Sequence, residues 1–379
     1  MIIQSTNVWI ADQFIPAQIE IENGIISNIF SYNEKKADVD YENNRIVPGF
    51  IDIHAHGGYG WDTNDATEEG LLYWLNQLPK EGVTGICPTT ITQSKDVLKK
   101  ALENVSNIYF KQKTGAQILG IHFEGPYLDT KYKGAQPEQY IVPTSVEEFQ
   151  EYQTAAKGLI KIITLAPEHD KDYSLTRFCA QHDVVVSIGH SNANYNDVLM
   201  AIANGAKSIT HVYNGMPLFH HRDNGIVGSA LRCHHMYGEV ICDGNHSSLS
   251  ALSIYFQAKG KHHAIMVSDS LMAKGKPVGS RFLFGGQEIE IYPDGSAHLT
   301  NIDSLAGSTL KINEGLKLLV EQAQIPFDVA LNSCTMNPAT LLNIDDKKGK
   351  IQVNYDADIV VLQPDYSIQQ TYCKGIPQI

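Results

Sequence analysis

The stretch GFIDIHAHGGYG (residues 49–60) places two histidines one residue apart at the end of an apolar run. In a strand, residues i and i+2 face the same side, so His54 and His56 point together and two imidazoles can reach one ion. Single histidines near strand ends often only hydrogen-bond to backbone. Taken alone, the pair therefore leaves two readings open: metal ligands, or two polar residues in a turn.

Outward from that stretch, short apolar runs alternate with helical patterns, which predicts βα units around a parallel sheet. The expected strands are GFIDIH (49–54), GVTGICPTT (82–90), AQILGIHFE (116–124), KIITLAPE (161–168), VVVSIGH (184–190), KSITHV (207–212), GEVICDG (238–244) and HAIMVSDS (263–270). Eight such strands close a (β/α)8, TIM-like barrel. Between them, segments such as EEGLLYWLNQLPKEG set Leu71, Leu72, Leu75 and Leu78 on one helical face, as an outer ring requires. RFLFGGQEIEIYPDGSAHLT reads as a β-hairpin insertion, and STLKINEGLKLLVEQA as a helix with Ser308 as its candidate N-cap.

Both chain ends read differently. NVWIADQFIPAQIEIENGIISNIF alternates in strand fashion around a hairpin turn at Glu22-Asn23-Gly24, and DADIVVLQPDYSIQQTYCKG is similar in pattern. The expected fold class is thus α/β: a barrel over residues 49–349, with a small β-sandwich domain built from residues 1–48 and 350–379.

Polar residues gather where the barrel strands end, the rim that carries the active site in barrel enzymes. Strand one ends in His54 and His56, strand three in Glu124, strand five in His190, strand six in His211, strand seven in Asp243 with His246 just beyond, and strand eight in Asp269. Histidines and carboxylates converging on one rim favour the metal reading of the opening pair. In HFEGP, Gly125 and Pro126 stop the strand and hold Glu124 at the rim, where a carboxylate without a cation would be costly. His122 shares its face and reads either as a hydrogen-bond partner behind the ligands or as a packed barrel histidine. Asp269, otherwise a turn or cap residue, suits the base that takes a proton from an activated water and later returns it to a leaving group.

Composition sets bounds on partners and compartment. The chain has 379 residues, 43% hydrophobic and 19% charged, which is globular. Twenty-nine basic against 42 acidic residues give a formal charge of −13, so its field repels nucleic acid and anionic membranes, and an anionic substrate needs local positive charge. The N-terminus carries no secretory pattern and the chain reads as cytoplasmic. The six cysteines lack CxxC spacing and read as reduced thiols without chemistry.

In order, PGFIDIHAHG, HFEGPYL, KGAQ, IGHS, THVYNGM, DGNH, SDS, LAGS and NPA resemble the N-acetylglucosamine-6-phosphate deacetylases of the amidohydrolase superfamily over almost the whole chain. The resemblance implies hydrolysis of the acetamido group of N-acetylglucosamine 6-phosphate to glucosamine 6-phosphate and acetate. By motif match, Glu124, His190 and His211 hold one divalent metal and Asp269 is the proton acceptor and donor. Ala135, Gln136, Asn214, Gly215, Arg222 and His246 are placed at the sugar phosphate, with Leu305, Ala306 and Gly307 lining the pocket. Arg222 is expected to reach the neighbouring subunit's site in a homodimer. Some members lack the HxH pair; this chain keeps His54 and His56, so the resemblance allows a second ion with Glu124 as bridge. Many members carry histidine where this chain has Gln136, which donates a hydrogen bond but does not titrate.

Metal-assisted amide hydrolysis is the expected chemistry, with zinc, iron, cobalt or manganese all suited to the ligands. Arg222 and His246 would anchor the phosphate. Two rivals remain at this stage. One is another amidohydrolase, acting on a different N-acetylated sugar phosphate or a cyclic amide; Glu124 at the position where many cyclic-amide hydrolases use a carboxylated lysine counts against the latter. The other is a catalytically dead scaffold, against which stands the retention of every candidate ligand and of Asp269.

Overall fold

The structure is a computed structural model and describes residues 1–302 and 304–379. Its centre is a parallel sheet whose strands run Phe50–Ala55, Val83–Thr90, Gln117–Ile118 continued by Ile121–Glu124, Ile160–Leu165, Val185–Ile188 and Ser208–Ile209. Two further parallel strands, Gly238–Ile241 and Ala264–Val267, pair with each other. Backbone hydrogen bonds bridge both seams. Val212 N donates to Glu239 O at 2.8 Å on one side, and Asp269 N donates to His54 O at 2.8 Å on the other. All eight expected strands are present in the expected order.

The strands are shorter than the apolar runs that predict them. KIITLAPE ends its ladder at Leu165, because Pro167 opens a 3-10 turn. HAIMVSDS ends at Val267, and Ser268 and Asp269 leave the ladder to reach strand one instead. At three of these ends the backbone turns left-handed at a residue other than glycine: φ is 47° at His190, 26° at His211 and 47° at Asp269. Such conformations cost of order 1–3 kcal/mol each and persist where surrounding structure imposes them, commonly at functional sites.

Around the barrel, Glu68–Gln77 buries Leu71, Trp74 and Leu75 as the leucine pattern predicts. Ser145, Asn194 and Ser248 cap the helices that follow them. Ser308 does not cap the helix at Ile312–Glu321; Lys311 holds that position without a side-chain bond. The Ser308 hydroxyl instead donates to Ser268 O and accepts from Leu310 N, tying this segment to strand eight.

The two chain ends form one mixed sheet. Arg45–Pro48 joins them, running parallel to Ile2–Ile10 and antiparallel to Ile359–Leu362. Ile3, Ile19, Ile46, Ile359 and Tyr372 lie in a core of their own. The predicted turn is a two-residue loop, with φ of 52° at Asn23 and 81° at Gly24, as a hairpin of this length favours. The insertion after strand eight is a three-stranded antiparallel sheet, Arg281–Phe284, Gln287–Ile291 and Ala297–Leu299, one strand more than the expected hairpin. Its apolar face packs on Ile91 and Leu271 beside the rim. All six cysteines are buried free thiols. Among the described residues, no helix is long and apolar enough to cross a membrane.

Candidate active site

Glu124 ends strand three at the centre of the rim, and four imidazoles close on its carboxylate. His211 Nε2 lies 3.1 Å and His190 Nε2 3.3 Å from Oε1; His56 Nε2 lies 3.2 Å from Oε2, and His54 Nε2 3.4 Å from Oε1. Asp269 faces the same space, its Oδ1 3.2 Å from His56 Nε2 and 3.5 Å from His54 Nε2. Five strands therefore supply one cluster, as the rim pattern predicts. Asp243 lies outside it, bonded to His246.

Hydrogen bonds fix which nitrogen carries a proton in three of the four rings. His190 Nδ1 is 2.8 Å from Tyr132 O and His211 Nδ1 is 3.1 Å from Asn214 O. A carbonyl only accepts, so both Nδ1 atoms donate and both Nε2 lone pairs point inward when the rings are neutral. Those two atoms are 3.1 Å apart and share Glu124 Oε1. Three acceptors converging without a donor repel one another, and a cation between them removes the conflict. His54 repeats the pattern: Nδ1 lies 2.8 Å from Glu239 Oε2, and the buried Nε2 has no hydrogen-bond partner. Two triads thus fit divalent ions, Glu124/His190/His211 and His54/His56/Asp269. Gln136 orients the carboxylate between them, accepting from Thr92 N at 2.8 Å and donating to Glu124 Oε2 at 2.7 Å.

At His56 and Asp269 burial alone would favour the uncharged form, but the neighbouring charges prevail. The His56 pKa is pushed up to about 9, since Asp269 and Glu124 outweigh the opposing effect of burial. Burial raises the Asp269 carboxyl, yet the adjoining His54 and His56 bring it down to about 2. Divalent ions compete with protons for the same lone pairs. His122 is different. Burial and the neighbouring His54 hold its pKa well below the ordinary value, and its two nitrogens are taken by Ile53 O and Thr164 Oγ1. It is a packed barrel histidine, and no ring nitrogen remains for an ion.

The cluster opens into a pocket of about 290 Å³. Ala135, Gln136, Asn214, Gly215, His246, Leu305 and Gly307 line it, together with Gly134, Phe284 and Ser304. Ala306, expected in the lining, packs its side chain into the apolar cluster under the insertion. Arg222 is away from this pocket, on an exposed loop with Nη1 3.1 Å from His221 Nε2. No lysine or arginine is among the described lining residues. His246 is the nearest to a cation: Asp243, 2.7 Å from Nδ1, raises its pKa against the effect of burial. A larger cavity of about 670 Å³ lies between the terminal sheet and the barrel, lined by Trp9, Lys261 and Met336 among others. It contains none of the converging groups, so the chemistry belongs to the smaller one.

Glu239 and Phe284 escape the sequence reading. A glutamate inside GEVI is a visible anomaly in a buried strand, but its partner His54 lies 185 residues away. Phe284 stands edge-on to His56, with ring centres 5.4 Å apart, only because the insertion folds back over the rim.

The amidohydrolase family model matches residues 45–376. The N-acetylglucosamine-6-phosphate deacetylase of Bacillus subtilis (strain 168) is 40% identical over 333 residues, covering 87% of this chain and 83% of that protein. This chain belongs to the N-acetylglucosamine-6-phosphate deacetylase family. The crystal structure of the member from Pasteurella multocida, 28% identical, superposes with a TM-score of 0.92 over 100% of this chain and 99% of that one. A relative named for the galacto epimer, the N-acetylgalactosamine-6-phosphate deacetylase of Escherichia coli O157:H7, is 29% identical over 371 residues, 97% of this chain and 95% of that protein. Within the family frame, the buried histidine and carboxylate clusters are those of an amidohydrolase metal site.

Proposed function

We propose that this chain hydrolyses the acetamido group of N-acetylglucosamine 6-phosphate, giving glucosamine 6-phosphate and acetate. The observation that carries it is the cluster of four imidazoles and two carboxylates around Glu124, at the base of a pocket lined by the family's own motif residues. Glu124, His190 and His211 would hold one ion, and His54 and His56, with Asp269 beside them, would hold a second. One or two divalent ions, zinc, iron, cobalt or manganese, suit these ligands. Such an ion polarises the acetamido carbonyl and makes water a better nucleophile at neutral pH.

The chain's own groups supply the rest. Asp269 is the base that takes the attacking water's proton. The same carboxyl then protonates the sugar nitrogen, without which the amine is a very poor leaving group. Asn214, Gly215 and His246 contact the sugar phosphate, while Ala135, Gln136, Leu305 and Gly307 shape the pocket around them. Gln136 acts chiefly through Glu124, because its amide already bonds that carboxylate.

A phosphate dianion needs more positive charge than His246 alone provides. Arg222 supplies it to the neighbouring subunit's site in a homodimer. The same loop carries Leu218 with 89% and Phe219 with 53% exposure, apolar surface suited to an interface. Mixing Arg222→Met and Asp269→Asn chains tests this arrangement: mixed dimers regain one site with both groups intact, whereas an Arg222 acting within its own chain gives no recovery.

The reaction is tested by measuring acetate released from N-acetylglucosamine 6-phosphate, from its galacto epimer and from unphosphorylated N-acetylglucosamine. Turnover fastest on the first supports the assignment. Preference for the galacto phosphate would place the chain with the E. coli relative, and no turnover of any would sink the assignment.

A further inference from the structure

Glu239 lies on barrel strand seven (Gly238–Ile241) with its side chain fully buried. Its Oε2 is 2.8 Å from His54 Nδ1, and His211 N approaches the same oxygen at 3.4 Å. Oε1 has no partner, and no lysine or arginine pairs with this carboxylate among the described residues. A buried anion so placed requires a positive charge reached through His54, since removing an unpaired carboxylate from water is costly. The opposite edge of the ring shows where that charge belongs. His54 Nε2 is buried, lacks a hydrogen-bond partner, and faces Glu124 Oε1 at 3.4 Å and Asp269 Oδ1 at 3.5 Å. His122, edge-on to the ring with centres 4.4 Å apart, offers no alternative partner, because both its nitrogens are bonded elsewhere.

We propose that Glu239 is a positioning residue: it holds the His54 proton on Nδ1 and aims the Nε2 lone pair at the space shared with His56 and Asp269, so building the second cation position. A carboxylate behind a ligating histidine fixes the ring and raises its basicity, and loss of such a partner typically weakens metal binding about 10–100-fold. Through the His211 backbone the same oxygen also touches the segment that carries the first position. The inference rests on the two-ion reading above.

Zinc binding separates the two ideas. Wild type and Glu239→Gln, stripped of metal, are dialysed against buffered free zinc, and bound zinc per chain is measured across the titration. Wild type is expected to take up two zinc ions. The variant should keep one with unchanged affinity, which also reports an intact barrel, and bind the other about 10–100-fold more weakly. Two ions of undiminished affinity in the variant would overturn the role of Glu239 and leave the two-ion reading standing. Saturation of wild type at one zinc would overturn both. If the glutamine variant binds neither ion because it fails to fold, Glu239→Asp replaces it; a weakened second ion supports the proposal and an undiminished one contradicts it.

Discussion

The Nε2 atoms of His190 and His211 lie 3.1 Å apart, although the outer nitrogen of each ring is already held by a backbone carbonyl. Neither ring has a proton left for the space between them when neutral. That one relationship turns a list of histidines into a cation site, and its weak points are the groups that keep each ring in place.

Gly215 is one of them. With φ of 61°, it passes so close to His190 that a Cβ there would meet Nδ1 at 2.8 Å and Cε1 at 3.2 Å. Gly215→Ala combines left-handed backbone strain of about 1–2 kcal/mol with displacement of the imidazole. The ion at Glu124/His190/His211 should then bind about 10–100-fold more weakly, as measured by equilibrium dialysis. Unchanged affinity would show that the ring is held without help from this close approach.

Asp269 handles protons rather than the phosphate. In metal-loaded Asp269→Asn, kcat should fall about 10²–10⁴-fold, the usual contribution of a general acid–base group. KM for the sugar phosphate should change little. Steady-state kinetics check both parameters, and a loss in kcat of less than about tenfold would assign the proton to another group.

A prediction about stability concerns Lys348, which joins the barrel to the terminal sheet. Its buried ammonium lies 2.5 Å from Asp358, 2.7 Å from Asp356 and 3.1 Å from Gln117 of barrel strand three. Burial opposes its charge, but the two aspartates raise its pKa above the ordinary lysine value. The folded state therefore keeps this proton to higher pH than the unfolded chain. The stabilisation is complete below the unfolded value, about 10.4, and is lost as pH rises through the folded one. Lys348→Met leaves two carboxylates without their cation and should cost about 3–5 kcal/mol at neutral pH. Urea unfolding across pH should show an alkaline loss of stability in wild type that the variant lacks.

The sequence made the barrel legible because each strand is an apolar run that stops at a polar residue, and strand periodicity turns those stops into a rim. His54, His56, Glu124, His190, His211 and Asp269 could all be read in this way. Other features depend on contacts that spacing does not encode. Glu239 meets His54 across the barrel, Gln136 reaches Glu124 from a loop, and Phe284 arrives on an insertion. The left-handed backbone at His190, His211 and Asp269 is likewise imposed from outside, as in the bonds that tie Asp269 N to His54 O and Ser308 N to Asp269 O. Ser308 read as a cap for a similar reason: its bond to Ser268 O comes from the adjoining strand end, not from its own helix.

The central claim is that ions held by this cluster hydrolyse the sugar acetamide. The most direct test is to strip the protein of metal and titrate zinc or manganese back while following acetate release from N-acetylglucosamine 6-phosphate. Activity should be absent at the start, rise in proportion to bound metal and level off when the cluster is filled. Full turnover by protein shown to contain no metal would contradict the account.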